Sequence, residues 1–183
     1  MVKANNWYVI TGGPSTGKTT LLAELEKRGF ETIPEAARAV IDRAAGRGIS
    51  VEQLRADECG FQEEVAKLKD EIGSEIDADR IVFFDRGMQD TEAYMQYYGF
   101  EMSPATKKMM EDYSYRLVFL LENLPFYEED YARTEDENFS IAIRQLLYDV
   151  YSNHGMRPIC VPAMSVEERA SFIINEIEEV RNE

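Results

Sequence analysis

The chain has 183 residues, of which 44% are hydrophobic, and a formal net charge of −15 at pH 7. This length and composition suffice for a single domain, residues 1–183, with a substantial core. The acidity argues against nucleic acid or an anionic membrane as the main partner, because both attract basic surfaces. The first residues lead into an apolar run without a signal-peptide core, and no apolar run approaches membrane-spanning length, so we expect a cytoplasmic protein.

The cysteines and the histidine give no indication of a metal centre. Cys59 and Cys160 lack metal-ligand spacing, and His154 is the only histidine. Neither a structural metal nor a His-based catalytic triad is therefore indicated. We expect both cysteines to be packing residues.

The most informative motif is the phosphate-binding loop pattern G-x-x-x-x-G-K-[ST], which residues 12–19 match at every fixed position. An apolar run, 7–10, precedes the loop and a helix-forming run, 20–27, follows it. Glycines in such a loop let backbone N–H groups surround a polyphosphate, and the following helix presents its positive N-terminal end. Lys18 would reach the β- and γ-phosphates, and Thr19 would bind Mg²⁺. The nucleotide-binding residues are predicted to be Gly12, Gly13, Pro14, Ser15, Thr16, Gly17, Lys18, Thr19 and Thr20.

Strands and helices alternate along the rest of the chain. Further apolar runs predict strands at 30–33, 80–84, 116–121 and 157–161. Helix starts between them carry N-cap signals: Ser50 with Gln53, Ser103 with Pro104, and Ser165 with Glu168. The alternation predicts an α/β fold with a five-stranded, doubly wound parallel sheet. Ligands of such sheets bind at the carboxyl ends of the strands, and the turn 161–163 after the last strand is a common place for the base of the donor.

Glu35 and Arg38 follow the second predicted strand, one helical turn apart. Two interpretations of Glu35 stand side by side. Its carboxylate could take a proton from an acceptor hydroxyl, or it could complement the dipole of the helix that begins there.

Asp85 and Arg86 follow the third predicted strand. An apolar strand that ends in Asp resembles a Walker B element and predicts a carboxylate beside Mg²⁺. The guanidinium of Arg86 could bridge the transferring phosphoryl group or a phosphate of the substrate. Asp90 and Thr91 are expected to cap the next helix.

The segment from Val51 to Ile76 has apolar residues three and four apart, which predicts a helix with a core stripe. Glu58 occupies one position of this stripe, with Arg55 and Gln62 one turn away on either side. A charged residue in such a stripe marks either a cavity or an exposed helix end. The sequence leaves both interpretations open.

The segment 125–137 follows the fourth strand and breaks the apolar pattern, which suits a lid over the nucleotide. Arg133 is the only base among its many acids and could stabilise charge on the transferring phosphoryl group. A surface ion pair is the alternative. Arg144, on the helix that follows, is a less favoured substitute.

Together these segments resemble a family of P-loop proteins, the predicted ATPases of AAA type that include the ribosylnicotinamide kinase domain of the bacterial bifunctional regulator of NAD biosynthesis. The likeness runs from Val9 to about Ile174. It implies a three-layer P-loop NTPase fold of the nucleoside and nucleotide kinase type, with Mg²⁺ and with ATP as co-substrate. The residues that carry it are 12–19, 34–38, 61–62, 83–87, 90–94, 118–122, 125–127 and Arg133.

A more distant likeness is to deoxynucleoside kinases, in which a Glu after the second strand is the base and a Phe-Gln pair contacts the nucleobase. It implies these roles for Glu35 and for Phe61 with Gln62, and it places the acidic-Arg pair of those kinases at Asp85 and Arg86. The ribosylnicotinamide kinase pattern has no arginine at the position of Arg86. An arginine there would also suit an acceptor that already carries phosphate.

The leading hypothesis is transfer of the γ-phosphoryl group of ATP to a small nucleoside-like or nucleotide-like acceptor. The alternative is a nucleotide-dependent switch or binding module, which needs the same loop but no acceptor base. A Ras-like GTP preference is not expected, because the [NT]-K-x-D motif is absent. The candidate catalytic residues are Lys18, Glu35, Asp85, Arg86 and Arg133, and the candidates for acceptor binding are Glu35, Arg38, Glu58, Gln62 and Arg86.

Overall fold

The computed structural model describes residues 6–124 and 137–182. Five strands form one sheet: β1 (Trp7–Thr11), β2 (Glu31–Ile33), β3 (Val82–Asp85), β4 (Leu117–Leu121) and β5 (Ile159–Val161). Their order across the sheet is β2-β3-β1-β4-β5, and all neighbours are parallel. The sequence-based prediction of a five-stranded parallel sheet is confirmed.

The described helices connect these strands and cover both faces of the sheet. They are α1 (Lys18–Lys27), α2 (Ala36–Ala45), α3 (Val51–Arg55), α4 (Glu58–Ser74), α5 (Met88–Tyr97), α6 (Pro104–Glu111), α7 (Glu137–Asn153) and α8 (Val166–Asn182). No helix among the described residues is long and apolar enough to cross a membrane.

Alternate side chains of the strands enter two separate cores. Tyr8, Ile10 and Phe83 pack with α1 and α8 on one face of the sheet. Val9 and Phe84 pack with α5 and α7 on the other face. A third cluster lies between α2 and α4, away from the sheet. Because both faces of β1, β3 and β4 are covered, these strands are apolar almost throughout.

The predicted helix from Val51 to Ile76 is interrupted. α3 ends at Arg55, and α4 begins at Glu58 with Asp57 as its N-cap. The side chain of Asp57 accepts a hydrogen bond from the backbone N–H of Gly60 at 2.9 Å. The apolar spacing continues across the break, so the interruption is signalled by the capping residue rather than by the stripe.

The predicted N-caps are present. Ser50 and Gln53 form a reciprocal capping box, and Ser103 caps α6 with Pro104 at its first turn. Ser165 and Glu168 also exchange hydrogen bonds at the start of α8. The expectation that both cysteines are packing residues is wrong for Cys160, which is exposed because it lies on the edge strand β5.

Candidate active site

A cavity of about 1170 Å³ opens at the carboxyl edge of the sheet. Segments that follow β1, β2, β3 and β5 all contribute to its lining, as expected for a parallel α/β sheet. Pockets for one small molecule usually measure about 300–1,000 Å³. The cavity is therefore large enough for two ligands side by side.

The phosphate-binding loop joins β1 to α1 at one side of this cavity. Its backbone adopts left-handed conformations at Ser15 (φ 58°) and Gly17 (φ 84°), which turn the loop back on itself. At Gly13 the requirement for glycine is steric, because a Cβ there would clash with the hydroxyl of Ser140 on α7. The predicted residues from Pro14 to Thr20 line the cavity.

Lys18 is buried beneath the loop. Its Nζ donates to the carbonyl oxygens of Gly12 at 3.0 Å and Gly13 at 2.6 Å. Burial, reinforced by the nearby guanidinium of Arg86, lowers the pKa of Lys18 to about 7. An arriving polyphosphate would favour the charged form of this amine and strengthen its own binding.

Asp85 ends β3 and lies beside Ile10 of β1, just before the phosphate-binding loop. Its side chain is buried, and Oδ1 has no hydrogen-bond partner among the described residues. Burial raises the pKa of this carboxyl to about 6, although Arg86 opposes the effect. An unpartnered buried carboxylate oxygen and the exposed hydroxyl of Thr19, both at the cavity wall, fit Mg²⁺. This ion takes one or two protein ligands and completes its shell with phosphate oxygens and water.

Arg86 and Glu35 form an ion pair across the cavity floor. Nε of Arg86 donates to Oε1 of Glu35 at 2.7 Å, and Nη1 donates to the carbonyl oxygen of Gly12 at 3.2 Å. Asp90 lies 3.6 Å from the same guanidinium, which also stacks over the ring of Tyr94 at 5.2 Å. The backbone of Arg86 is left-handed (φ 68°), an uncommon conformation for a residue with a side chain.

The carboxylate of Glu35 faces the cavity rather than its own helix. Glu35 is the N-cap residue of α2, yet its side chain makes no capping hydrogen bond. Burial works against its ionisation, but Arg86 and Lys18 outweigh burial and hold the pKa of Glu35 below its usual value. Glu35 is therefore an ionised acceptor of hydrogen bonds at neutral pH.

A second polar cluster lies where α3 ends and α4 begins. Nε of Arg55 donates to Glu58 at 2.7 Å, and the amide of Gln62 donates to the same carboxylate at 2.9 Å. Nη2 of Arg55 also donates to the hydroxyl of Tyr98 at 3.1 Å. Arg55, Phe61 and Gln62 line the cavity, with the guanidinium 5.2 Å from the ring of Phe61.

Neither sequence interpretation of Glu58 describes it fully, because its side chain is only 12% exposed and does not itself line the cavity. The residue begins a helix, and it orients two side chains that face the cavity. Arg38 lies at the outer rim, where its side chain is 76% exposed and pairs with Asp42 at 3.4 Å. The predicted lid and Arg133 lie outside the described residues, apart from Glu137, at which α7 begins.

The prediction that Asp90 and Thr91 cap the next helix is correct for Asp90 and wrong for Thr91. Asp90 caps α5 as predicted, because Oδ2 accepts from the backbone N–H of Gly87 at 3.0 Å. Thr91 does not cap the helix. Its hydroxyl accepts a hydrogen bond at 3.1 Å from Lys69, and the side chain lines the cavity.

Lys69, which is half-buried, and Arg169, which is buried, are basic residues of this region that the sequence patterns did not indicate. Nζ of Lys69 also donates to the carbonyl oxygen of Gly87 at 2.6 Å, and burial lowers the pKa of the amine to about 8. The sequence feature that could have indicated Lys69 is its position two helical turns after Gln62, on the same face of α4. The feature that could have indicated Arg169 is its position near the start of a helix, where acidic rather than basic residues are favoured.

Comparisons with known proteins agree with this architecture. A family model described as an AAA domain matches residues 7–169. No curated protein matches the sequence at a significant level.

Three solved structures illustrate the likeness in fold. A NadR protein in complex with NR superposes with a TM-score of 0.73 at 19% identity, over 94% of this chain and 50% of that one. Thymidylate kinase from Ehrlichia chaffeensis gives 0.64 at 16% identity, over 96% and 99% of the two chains. Thymidylate kinase from Candida albicans gives 0.63 at 11% identity, over 98% and 93%. The chain thus spans about half the length of the NadR chain and nearly all of the thymidylate kinases.

Proposed function

Because the chain belongs to the AAA-domain family of P-loop proteins, we propose that it transfers the γ-phosphoryl group of ATP to a hydroxyl of a small nucleoside-like acceptor. The observation that carries this proposal is the ion pair between Glu35 and Arg86. It stands in the same cavity as the phosphate-binding loop, on the side where an acceptor would lie. A protein that only bound or hydrolysed the donor would not need this second, polar half of the cavity.

The donor half consists of the phosphate-binding loop, Lys18 and the candidate metal ligands. Loop N–H groups and Lys18 would hold the β- and γ-phosphates, and the base would rest against Ala163 and Met164. Mg²⁺ held by Thr19 and Asp85 would neutralise part of the phosphate charge.

In the acceptor half, Glu35 would accept a hydrogen bond from the attacking hydroxyl and take its proton as the new oxygen–phosphorus bond forms. ADP leaves as the bond between its β-phosphate oxygen and the γ-phosphorus breaks. Phosphoryl transfer has a loose transition state, so a carboxylate with a lowered pKa contributes mainly by orienting the hydroxyl. Arg86 would fix the direction of this carboxylate and offset charge on the phosphoryl group.

Between the two acceptor classes considered, the unphosphorylated one has more support. The guanidinium of Arg86 already contacts Glu35, Asp90 and the carbonyl oxygen of Gly12. Its N–H groups are therefore poorly placed to bind a phosphate group that an acceptor already carries. The ring of Phe61 and the amide of Gln62 offer a flat apolar surface and a hydrogen-bonding edge for a planar base.

The test is substitution of Glu35 by Gln, with substitution of Glu31 as the matched control. Glu31 lies on β2 and pairs with Arg80 outside the cavity. We expect Glu35→Gln to bind MgATP within about twofold of wild type and to lose about 100-fold or more in transfer rate, as is typical when a positioned base is removed. Glu31→Gln should keep both properties, and Lys18→Ala should lose donor binding.

The acceptor for this assay is chosen from nucleosides, nucleoside monophosphates and ribosylated bases by its ability to raise the melting temperature. Unchanged transfer to that acceptor by Glu35→Gln would exclude Glu35 as the group that activates the hydroxyl.

A further inference from the structure

Arg169, on α8, is almost fully buried at 2% exposure and holds three backbone segments together. Its Nη1 donates to the carbonyl oxygen of Thr16 at 2.6 Å. Nε donates to the carbonyl oxygen of Pro162 at 2.9 Å, and Nη2 donates to that of Glu122 at 2.9 Å. One guanidinium therefore binds the phosphate-binding loop and the segments that follow β4 and β5.

All three segments border the donor half of the cavity, the one after β4 through Leu124. Thr16 belongs to the phosphate-binding loop, and Pro162 directly precedes Ala163 and Met164, which line the cavity. The bonds from Arg169 thus set the distance between the place for the phosphates and the place proposed for the base. A nucleotide spans both places, so this distance decides whether it can contact both at once.

The charge of Arg169 has no ion pair among the described residues. Glu122 is the acidic residue that acts on it most, and its carboxylate pairs instead with Arg144 at 3.4 Å. Burial lowers the pKa of Arg169, the charge of Glu122 opposes this effect without forming an ion pair, and three carbonyl oxygens accept the hydrogen bonds of the guanidinium. An unpaired buried charge destabilises a protein unless something offsets it.

A bound polyphosphate would offset this charge. Nη1 lies 3.5 Å from the position that a Cβ on Gly17 would take, so the guanidinium is directly beneath the phosphate-binding loop. In a protein with a net charge of −15, local positive charge is needed wherever an anion binds.

We propose that Arg169 is a positioning residue of the donor site. Its hydrogen bonds hold the base-contacting segment 162–164 in register with the phosphate-binding loop, and its charge favours the polyphosphate. The inference extends the proposed function and rests only on the donor half of it.

The test measures binding of two probes, ATP and inorganic tripolyphosphate, by calorimetry with Mg²⁺ and without any acceptor. Arg169→Lys keeps the charge but replaces the planar guanidinium with a compact ammonium, whose N–H groups cannot span the three separated carbonyl groups. We expect it to weaken ATP binding by about tenfold and tripolyphosphate binding by less than about threefold. Arg169→Gln removes the charge and should weaken binding of both probes by about tenfold or more.

Arg116→Met is the matched control. Arg116 donates to the carbonyl oxygen of Val180 at 2.8 Å, and so secures the other end of α8, far from the cavity. It should leave both affinities unchanged even if it lowers the melting temperature.

A partial loss of folded protein affects both probes equally, so the ratio of the two affinities within one variant does not depend on it. If Arg169→Gln does not fold, the result for Arg169→Lys is sufficient to test the proposal. Equal weakening of the two probes in Arg169→Lys, or wild-type affinity for both, would overturn the proposal. Failure of wild type to transfer phosphate leaves this result intact, whereas failure of wild type to bind ATP refutes the donor site itself.

Discussion

Asp85 is a buried side chain whose surroundings favour the protonated carboxyl over the carboxylate. Its Oδ1 has no hydrogen-bond partner among the described residues, and burial raises its pKa to about 6. Such a group favours the folded state only when protonated. In the proposed function, binding of Mg²⁺ with the donor supplies the missing partner.

We therefore expect Asp85→Asn to be more stable than wild type in metal-free buffer at pH 7 to 8, by about 2–3 kcal/mol. The pKa of Asp85 is raised on folding, so its favourable contribution is present below pH 4 and is lost as the pH rises through 6. The gain from Asp85→Asn should accordingly shrink to almost nothing near pH 4. Urea unfolding of both proteins at several pH values measures this difference, and a gain that does not depend on pH would contradict the account.

At the level of residues, the sequence predicted side chains that belong to a motif and missed side chains that reach across elements. The phosphate-binding loop and Asp85 could be placed because their function depends on spacing along the chain. Lys69 contacts the backbone of Gly87, 18 residues away, and Arg169 contacts the backbone of Glu122 and Thr16, 47 and 153 residues away. No local pattern specifies such contacts.

The start of α5 determines where Arg86 points, and it is held by side chains from other elements. The backbone N–H of Gly87 donates to the hydroxyl of Tyr151 at 3.2 Å, and that hydroxyl donates to Asp90 at 2.6 Å. Tyr115 accepts from the N–H of Met88 at 2.9 Å. A Cβ on Gly87 would collide with both tyrosines, so this helix start has no room for a side chain.

Tyr151→Phe should destabilise the protein by about 1–2 kcal/mol, because it leaves buried polar groups of Gly87 and Asp90 with one partner fewer. Tyr148→Phe is the control, since Tyr148 lies one turn earlier on α7 and its hydroxyl makes no hydrogen bond among the described residues. Chemical unfolding of the two variants checks the prediction. Equal stability of the two would show that the Tyr151 hydroxyl does not secure the helix start.

At the level of elements, the strands were predictable because parallel strands covered on both faces are continuously apolar. The break between α3 and α4 was not predicted, although Asp57 is a suitable N-cap. The apolar stripe continues across the break and hides it. The residues next to this break matter for the site, because Arg55 contacts Glu58 and Tyr98 at the cavity wall.

Across the whole molecule, the sheet order brings segments from distant parts of the chain to one edge. Because β1 lies between β3 and β4, the phosphate-binding loop has Asp85 on one side and Glu122 on the other. The segment after β2 adds Glu35 next to Arg86. The result is one cavity that contains both the phosphate-binding loop and the Glu35–Arg86 ion pair.

The most direct test of the proposed function is phosphorus NMR of the wild-type protein with MgATP, with and without the acceptor selected by thermal shift. Phosphoryl transfer predicts a new phosphomonoester signal that grows with ADP in equal amount and only when the acceptor is present. Production of ADP and inorganic phosphate at the same rate with or without every acceptor tested would contradict it and would favour a nucleotide-dependent switch.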